Sequence, residues 1–208
     1  MKLFRFALTA FLVSSFSFWI ACSSSSQPAA ENSVSTPAQA AEKTPPAPSL
    51  FTAQQCFGQL QAMAVRWSPD AKPFLIESNS DPDSLGRDGK AAEWSGMFAS
   101  PMRNATRTFT CSKNGVDAGL ETPYSSRVTP FDAFLFKTNS DQAFKVAQEH
   151  GGEGVLKRDE KLPVTYALQR DRGQSVPYWF VIYGGEMNNS KGIGVINATT
   201  GAFVRATK

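Results

Sequence analysis

Histidine and cysteine are scarce in this chain. Its 208 residues include three Cys and a single His, His150. One imidazole excludes a metal site built on two histidines and catalysis by paired imidazoles. The sequence also lacks a Gly-x-Ser-x-Gly motif, which places the nucleophilic serine of many hydrolases on a tight turn. We therefore expect a non-catalytic protein that needs no metal and no cofactor.

An excess of charge and long internal hydrophobic runs are missing too. The chain has 21 Lys plus Arg against 18 Asp plus Glu, a formal net charge of +3. Binding several phosphates requires a basic surface, so this balance excludes a typical nucleic-acid binder. No apolar run of 18 residues follows residue 25, which excludes a polytopic membrane protein. With 41% apolar and 19% charged residues, the chain has the composition of a folded protein.

The N-terminus has the pattern of an export signal. Lys2 and Arg5 precede an apolar stretch, residues 6–21, that ends directly before Cys22. The small residue ahead of this cysteine resembles the signal of bacterial lipoproteins, although Trp19 stands where that family usually has leucine. The resemblance implies a signal peptide, residues 1–21, and a diacylglycerol on Cys22. Acyl chains on Cys22 would hold the protein on membrane lipid. An ordinary cleaved signal and an uncleaved anchor helix are the alternatives.

The residues after Cys22 predict a tether. Residues 22–50 are rich in Ser, Ala and Pro and contain no aromatic side chain, so they cannot bury enough apolar surface to fold. Ser23, in place of Asp, resembles the sorting signal for the outer membrane of diderm bacteria. We expect an exported, periplasm-facing protein, anchored in the outer rather than the inner membrane of a diderm cell, whose folded part begins at about residue 51.

The folded part contains two similar stretches. Residues 52–57 align with 139–144 at an offset of 87, residues 72–76 with 162–166 at an offset of 90, and residues 94–111 with 179–196 at an offset of 85. Both stretches begin with a helix N-cap signal that has Gln at the third helical position. We predict an α+β fold of two units, 51–115 and 139–208, joined by a connector, 116–138.

Each unit is predicted to contain one helix and three antiparallel strands. Helical spacing of apolar residues ends at Ser68-Pro69 in the first unit and at Gly151-Gly152 in the second. Short stretches of alternating apolar residues then follow in both units. This alternation is typical of an antiparallel sheet that has one face beneath the helix.

The second unit resembles the PepSY-type repeat. The residues that fit its helix and its last strand are Ala143, Ala147, Gly151, Ile196, Ala198, Thr199 and Gly201, with Asn197 in place of the usual Asp. The first unit is less similar, with Cys111-Ser-Lys-Asn-Gly115 at the end of its last strand. The resemblance implies a tandem PepSY-like module that binds an envelope protein or regulates a peptidase. A structural or assembly accessory of the cell envelope is the alternative function.

Cys56 and Cys111 are predicted to form a disulfide. Cys56 lies on the apolar stripe of the first helix, and Cys111 has the inward parity of the strand that this helix should cover. Export places both in an oxidising compartment, and lipid consumes the third cysteine, Cys22. The alternative is two separate buried thiols.

One strand of the second unit is apolar on both faces. The residues that alternate with Trp179 are Tyr178, Phe180 and Ile182, whereas the corresponding face of the first unit is mixed. A strand that is apolar on both faces buries both of them. This face therefore either packs against the first unit or the 131–136 segment, or forms a partner-binding surface.

Overall fold

The structure, a computed structural model, describes residues 49–81 and 84–207. The predicted signal peptide, Cys22 and most of the tether lie outside these residues. No helix in the described ranges is long and apolar enough to cross a membrane. The elements in chain order are β1 (Phe51–Thr52), α1 (Ala53–Trp67), β2 (Lys72–Ser78), β3 (Lys90–Ala91), β4 (Glu93–Ser100), β5 (Ala105–Ser112), β6 (Gly115–Pro123), α2 (Ser140–Ala147), α3 (Glu153–Leu156), β7 (Val164–Gln169), β8 (Tyr178–Tyr183), β9 (Gly192–Asn197) and β10 (Phe203–Thr207).

A single antiparallel sheet of eight strands organises the fold. Its strand order is β10-β9-β8-β7-β2-β4-β5-β6, while β1 and β3 form a separate short pair. The N-terminal half of the described chain supplies β2, β4, β5 and β6, and the C-terminal half supplies β7 to β10. Strands β2 and β7, the first strands that each half contributes to this sheet, pair at its centre, where Glu77 lies opposite Ala167. The α+β class and the antiparallel sheet are therefore confirmed.

The prediction of three strands per unit was one strand short in each half. The extra strands, β6 and β10, are the two edges of the sheet. Strand β6 falls mostly within residues 116–138, which the sequence assigned to a connector. Its residues from Asp117 to Pro123 are all exposed. A strand with only one partly buried side chain, here Val116, lacks the period-two pattern by which strands are recognised in a sequence.

Strand pairing in the second half repeats that of the first at the offsets found in the sequence. Trp94 lies opposite Cys111, and 85 residues later Trp179 lies opposite Ile196. The pairing of β2 with β4 likewise recurs between β7 and β8, with offsets of 90 and 85 for the two strands. Residues related by these offsets thus hold the same place in the strand pairs of their own half. We call them corresponding residues.

The two tryptophans illustrate this correspondence. The indole N–H of Trp94 donates to the carbonyl of Phe51 at 2.8 Å, and that of Trp179 donates to the carbonyl of Thr138 at 2.7 Å. Their rings meet edge to face in the core, with centroids 6.2 Å apart. Each indole therefore satisfies its buried polar group in the segment just before the helix of its own half.

Both long helices begin with the same cap. The Gln55 side chain accepts the backbone N–H of Thr52 at 2.8 Å, and Gln142 accepts that of Asn139 at 2.9 Å. Helix α1 ends at Trp67, as predicted. In the second half Gly151-Gly152 does not end the helical segment. A π-helical turn, Gln148–Gly152, links α2 to α3, and Gly151 makes the kink with a φ of 110°.

The main core lies between the helices and one face of the sheet. It contains Trp94, Trp179 and Tyr166 at its centre, together with Cys56 and Cys111. These cysteines form a disulfide that joins α1 to β5, so the predicted pairing is confirmed. Both lie in the part of the core that belongs to the first half.

Candidate functional site

The predicted partner-binding residues belong to a second apolar cluster. It consists of Ala167, Phe180, Ile182 and Val195, with Leu75, Tyr178 and Ile193 packed against them. These side chains come from β2, β7, β8 and β9 and alternate along the strands with residues of the main core. They therefore face the side of the sheet away from the helices. We call them the outer cluster.

The side chains of the outer cluster are tightly packed against one another. Phe180 is 7% exposed and Ile182 is 5% exposed, while Tyr178 is half-buried. The first half contributes Leu75 to the cluster. The 131–136 segment does not cover it, because Phe131 and Phe136 pack in the main core and Phe134 is 70% exposed. Packing on that segment therefore does not account for this apolar face.

The corresponding positions in the first half are polar. Phe180 corresponds to Ser95, and Val195 corresponds to Thr110. The hydroxyls of Ser95 and Thr110 lie 3.4 Å apart, and Ser95 also accepts a hydrogen bond from the Asn79 side chain at 3.2 Å. The same strand pairing thus accommodates hydrogen-bonded polar side chains in one half and apolar ones in the other.

A cationic groove borders the outer cluster at Leu75. It is a cavity of about 380 Å³ between the 127–129 segment and the turn after β7, and its walls include Arg127, Arg170 and Arg172 along with the carboxylate of Asp171. We call it the arginine groove. It combines apolar surface at Leu75 with an excess of positive charge.

The three guanidinium groups differ in the hydrogen bonds that they make within the protein. Arg170 donates to the carbonyl of Pro130 at 2.6 Å, and Arg172 donates to that of Ser126 at 3.1 Å. The Nε of Arg170 is buried without an acceptor. The Arg127 guanidinium has no hydrogen-bond or ion-pair partner in the described part of the chain. The groove therefore offers unsatisfied donors to an anionic group.

Glu77 borders the other side of the outer cluster. It lies on β2 opposite Ala167 and is half-buried, and its carboxylate accepts no hydrogen bond from a described residue. Burial raises the pKa of the Glu77 carboxyl above its ordinary value. A partner placed on this face would cover an acid at one border and arginines at the other.

His150, the only histidine, has a structural environment. Its Nδ1 lies 2.8 Å from the carbonyl oxygen of Val146, and its ring stacks on Phe203 with centroids 4.1 Å apart. Within residues 49–81 and 84–207, no group of three His, Cys, Asp or Glu side chains could hold a metal ion.

Sequence reasoning found the outer cluster but missed the arginine groove. Arg170 and Arg172 stand in the turn between β7 and β8, about 40 residues from Arg127, and no spacing rule connects the two segments. The sequence signal was the local pattern Arg170-Asp-Arg172, which by itself is typical of a solvated turn.

Comparison with known proteins gives one structural similarity. No protein-family model and no curated protein matches the sequence. A crystal structure of a proposed lipoprotein from Clostridium difficile 630 matches with a TM-score of 0.49 at 10% sequence identity, and the match covers 73% of this chain and 91% of that one.

Proposed function

We propose that this protein is an exported lipoprotein, anchored in the envelope through Cys22, whose folded part is a non-catalytic binding module. Its outer cluster receives an envelope protein or a peptidase. In a diderm cell the anchor lies in the outer membrane and the folded part faces the periplasm.

Two features support export and anchoring. Cys22 follows the apolar N-terminal stretch at the position of a lipoprotein cysteine. The Cys56–Cys111 disulfide is typical of proteins that fold in an oxidising compartment. We expect Cys22→Ser to move the protein from the membrane fraction to the soluble fraction. A Cys22→Ser variant that stays in the membrane fraction contradicts the lipid anchor.

We also propose that the two halves are copies of one PepSY-like unit. The proposal is supported by the shared helix cap and by strand pairs that recur at constant offsets. The fourth strand of each half is an addition to the three strands that the resemblance implied.

Binding through the outer cluster is supported by one observation above all. Corresponding positions of the two halves carry Ser95 and Thr110 in one case and Phe180 and Val195 in the other. Because the strand pairing is the same, the fold does not require apolar residues there. A partner that packs on the half-buried members of the cluster, Leu75, Tyr178 and Ile193, accounts for the apolar face.

The charges around the cluster describe the partner. The arginine groove is adjacent to Leu75, so the bound segment would place an acidic group beside its apolar residues. Arg127 is suited to this contact because its guanidinium is not engaged by another described residue.

The test exchanges residues between the halves. Tyr178→Glu and Ile193→Thr change two half-buried members of the outer cluster to the side chains found at the corresponding positions, Glu93 and Thr108. Leu120→Ser changes a residue on edge strand β6 that is 89% exposed. The tagged full chain is used to capture partners from detergent-solubilised envelopes, and each variant is also melted. We expect wild type and Leu120→Ser to retain one stoichiometric partner. Tyr178→Glu should lower the capture at least about tenfold and keep a native melting curve, because Tyr178 is only half-buried.

A large fall in the melting temperature of Tyr178→Glu with capture retained would assign the cluster to core packing and refute the proposal. Arg127→Gln should weaken capture without a change in melting. Many substoichiometric envelope components, equally retained by all variants, would instead favour the structural accessory function.

A further inference from the structure

A second cavity lies in the C-terminal half, on the helix side of the sheet. It opens between the kink that joins α2 to α3 and strands β9 and β10. It comprises two adjoining spaces of about 190 Å³ and about 310 Å³ that share Val155, Arg158 and Lys191 as walls. The outer cluster lies on the other face of the sheet, so this cavity does not belong to the surface discussed above.

Two glycines line this cavity at positions where the first half has large side chains. In the first half, Phe109 fills one of these positions and packs edge to face on Phe98 at 5.8 Å, with the Arg107 guanidinium 5.5 Å from the Phe109 ring centre. The residues that correspond to Phe109 and Arg107 are Gly194 and Gly192. The second half thus lacks an aromatic ring and a long side chain at this place in the sheet. At Gly194 the helix takes up the room, since an added Cβ would lie 2.9 Å from that of Ala147, and the open space lies beside Gly192.

The third replacement adds a polar group. Phe98 corresponds to Tyr183, which has the same ring and a hydroxyl in addition. The α2–α3 kink approaches this hydroxyl so closely that a Cβ on Gly152 would lie 1.9 Å from it. The second half therefore has an open space with a buried phenol in its wall, where the first half has a closed aromatic stack.

Tyr183 is arranged as a hydrogen-bond donor toward the cavity. Its oxygen accepts a bond from the Gln148 side-chain amide at 2.7 Å, and its own proton has no acceptor among the described residues. The side chain is 2% exposed. Burial raises the pKa of Tyr183 to about 12, so the phenol keeps its proton at physiological pH. A buried donor without an acceptor is costly unless a ligand supplies one.

Two cations complete the polar side of the cavity. The Lys191 ammonium has no ion-pair partner in the described part of the chain, and Arg158 uses its Nε for the carbonyl of Gly154 at 3.0 Å, which leaves its terminal nitrogens available. The one carboxylate in the walls, Asp159, accepts the backbone N–H of Lys161 at 3.0 Å. The remaining walls include the apolar side chains of Ala147, Val155 and Leu162.

We propose that this cavity binds a small carboxylate with an apolar body. The carboxylate accepts hydrogen bonds from Tyr183, Arg158 and Lys191, and the hydrocarbon part packs against Val155 and its apolar neighbours. The space is sufficient, because an apolar cavity of about 150 Å³ already accommodates a benzene ring. A few polar donors in otherwise apolar walls are the arrangement by which proteins orient such ligands.

The test compares hexanoate with hexanamide, its neutral analogue of the same shape. The full chain is purified in a non-ionic detergent, and the methyl resonances of Val155 and Ala147 are followed during titration. We expect saturable shifts with hexanoate and an affinity about tenfold lower for hexanamide, since a charged acceptor strengthens each of the three hydrogen bonds. Absence of saturable shifts with hexanoate up to about 10 mM, or equal affinity for the two compounds, overturns the proposal.

Variants locate the site. Lys191→Gln changes an exposed side chain and should weaken hexanoate binding by about tenfold, whereas Lys113→Gln, an exposed lysine in the turn between β5 and β6, should leave it unchanged. Gly192→Ala would place a Cβ 3.7 Å from Val155 and should weaken both compounds by narrowing the cavity. Unchanged hexanoate affinity in Lys191→Gln, in a variant that melts like wild type, would refute the assignment.

Discussion

Removal of the Cys56–Cys111 disulfide should destabilise the protein by about 4 kcal/mol. The bond closes a loop with a sequence separation of 55 residues, and the chain-entropy relation assigns about 4 kcal/mol to the restriction of an unfolded loop of this length. Both cysteines are buried, so replacing them also changes the packing of the main core. The two contributions can be separated by the choice of replacement residues.

The second half supplies those residues. Cys56 corresponds to Ala143 and Cys111 corresponds to Ile196, and both of these are fully buried. The variant Cys56→Ala/Cys111→Ile keeps apolar volume at the site, so the stability that it loses is mainly the contribution of the cross-link. The variant Cys56→Ala/Cys111→Ala leaves a cavity as well and should lose a further ~1 kcal/mol.

Equilibrium unfolding in urea measures both variants against the oxidised wild type. With a slope of about 2 kcal/mol per molar urea, a loss of about 4 kcal/mol lowers the unfolding midpoint by about 2 M. The unfolding midpoint of the reduced wild type should match that of Cys56→Ala/Cys111→Ile, apart from the difference in core packing between the two proteins. A midpoint that falls by less than about 0.5 M, or two titratable thiols in the denatured, unreduced protein, would refute the reasoning.

Two further predictions concern single buried groups. The fully buried Ser140 hydroxyl donates to the carbonyl of Gly89 at 2.5 Å and accepts the backbone N–H of Ala53 at 3.0 Å. Ser140→Ala should therefore lower the free energy of unfolding in urea by about 2 kcal/mol. A loss no larger than that of the exposed control Ser126→Ala would contradict this prediction. Because burial raises the pKa of Glu77 in the folded protein, its contribution to stability is full below the unfolded pKa, near 4.5, and is lost as pH rises through the folded value. Glu77→Gln should therefore raise the melting temperature at pH 7 and change it little well below pH 4.5. An equal rise at the two pH values would mean that the new amide, and not removal of the charge, stabilises the variant.

The features predicted from the sequence are those with a local or periodic cause. Helix α1 has a capping Gln55, an apolar stripe and a Ser68-Pro69 stop, and each acts within a few residues. The disulfide was predicted because Cys56 lies on the apolar stripe of the helix and Cys111 on the inward face of the strand that this helix covers. The offsets of 85 and 90 residues correctly related the strand pairs because hairpin register is fixed by short-range pairing.

The features that the sequence did not predict depend on long-range packing. Strand β6 forms because β5 offers it backbone hydrogen bonds, and none of its side chains is buried to signal this. The arginine groove exists because Arg170 reaches the carbonyl of Pro130 across 40 residues of chain. The cavity beside Gly192 depends on the strand register, which places this glycine where the first half has Arg107.

The differences between the two halves divide stability from binding. In the first half a disulfide, an aromatic stack at Phe98 and Phe109, and a hydrogen-bonded outer face each stabilise the folded state relative to the unfolded chain. In the second half the side chains around the cavity make fewer packing contacts, and the outer face has apolar residues where the first half has hydrogen-bonded ones. Because β2 and β7 join both halves in one sheet, we expect the second half to unfold together with the first. Loss of the disulfide should therefore weaken hexanoate binding at denaturant concentrations where the wild type is still folded, although no residue of the cavity has changed.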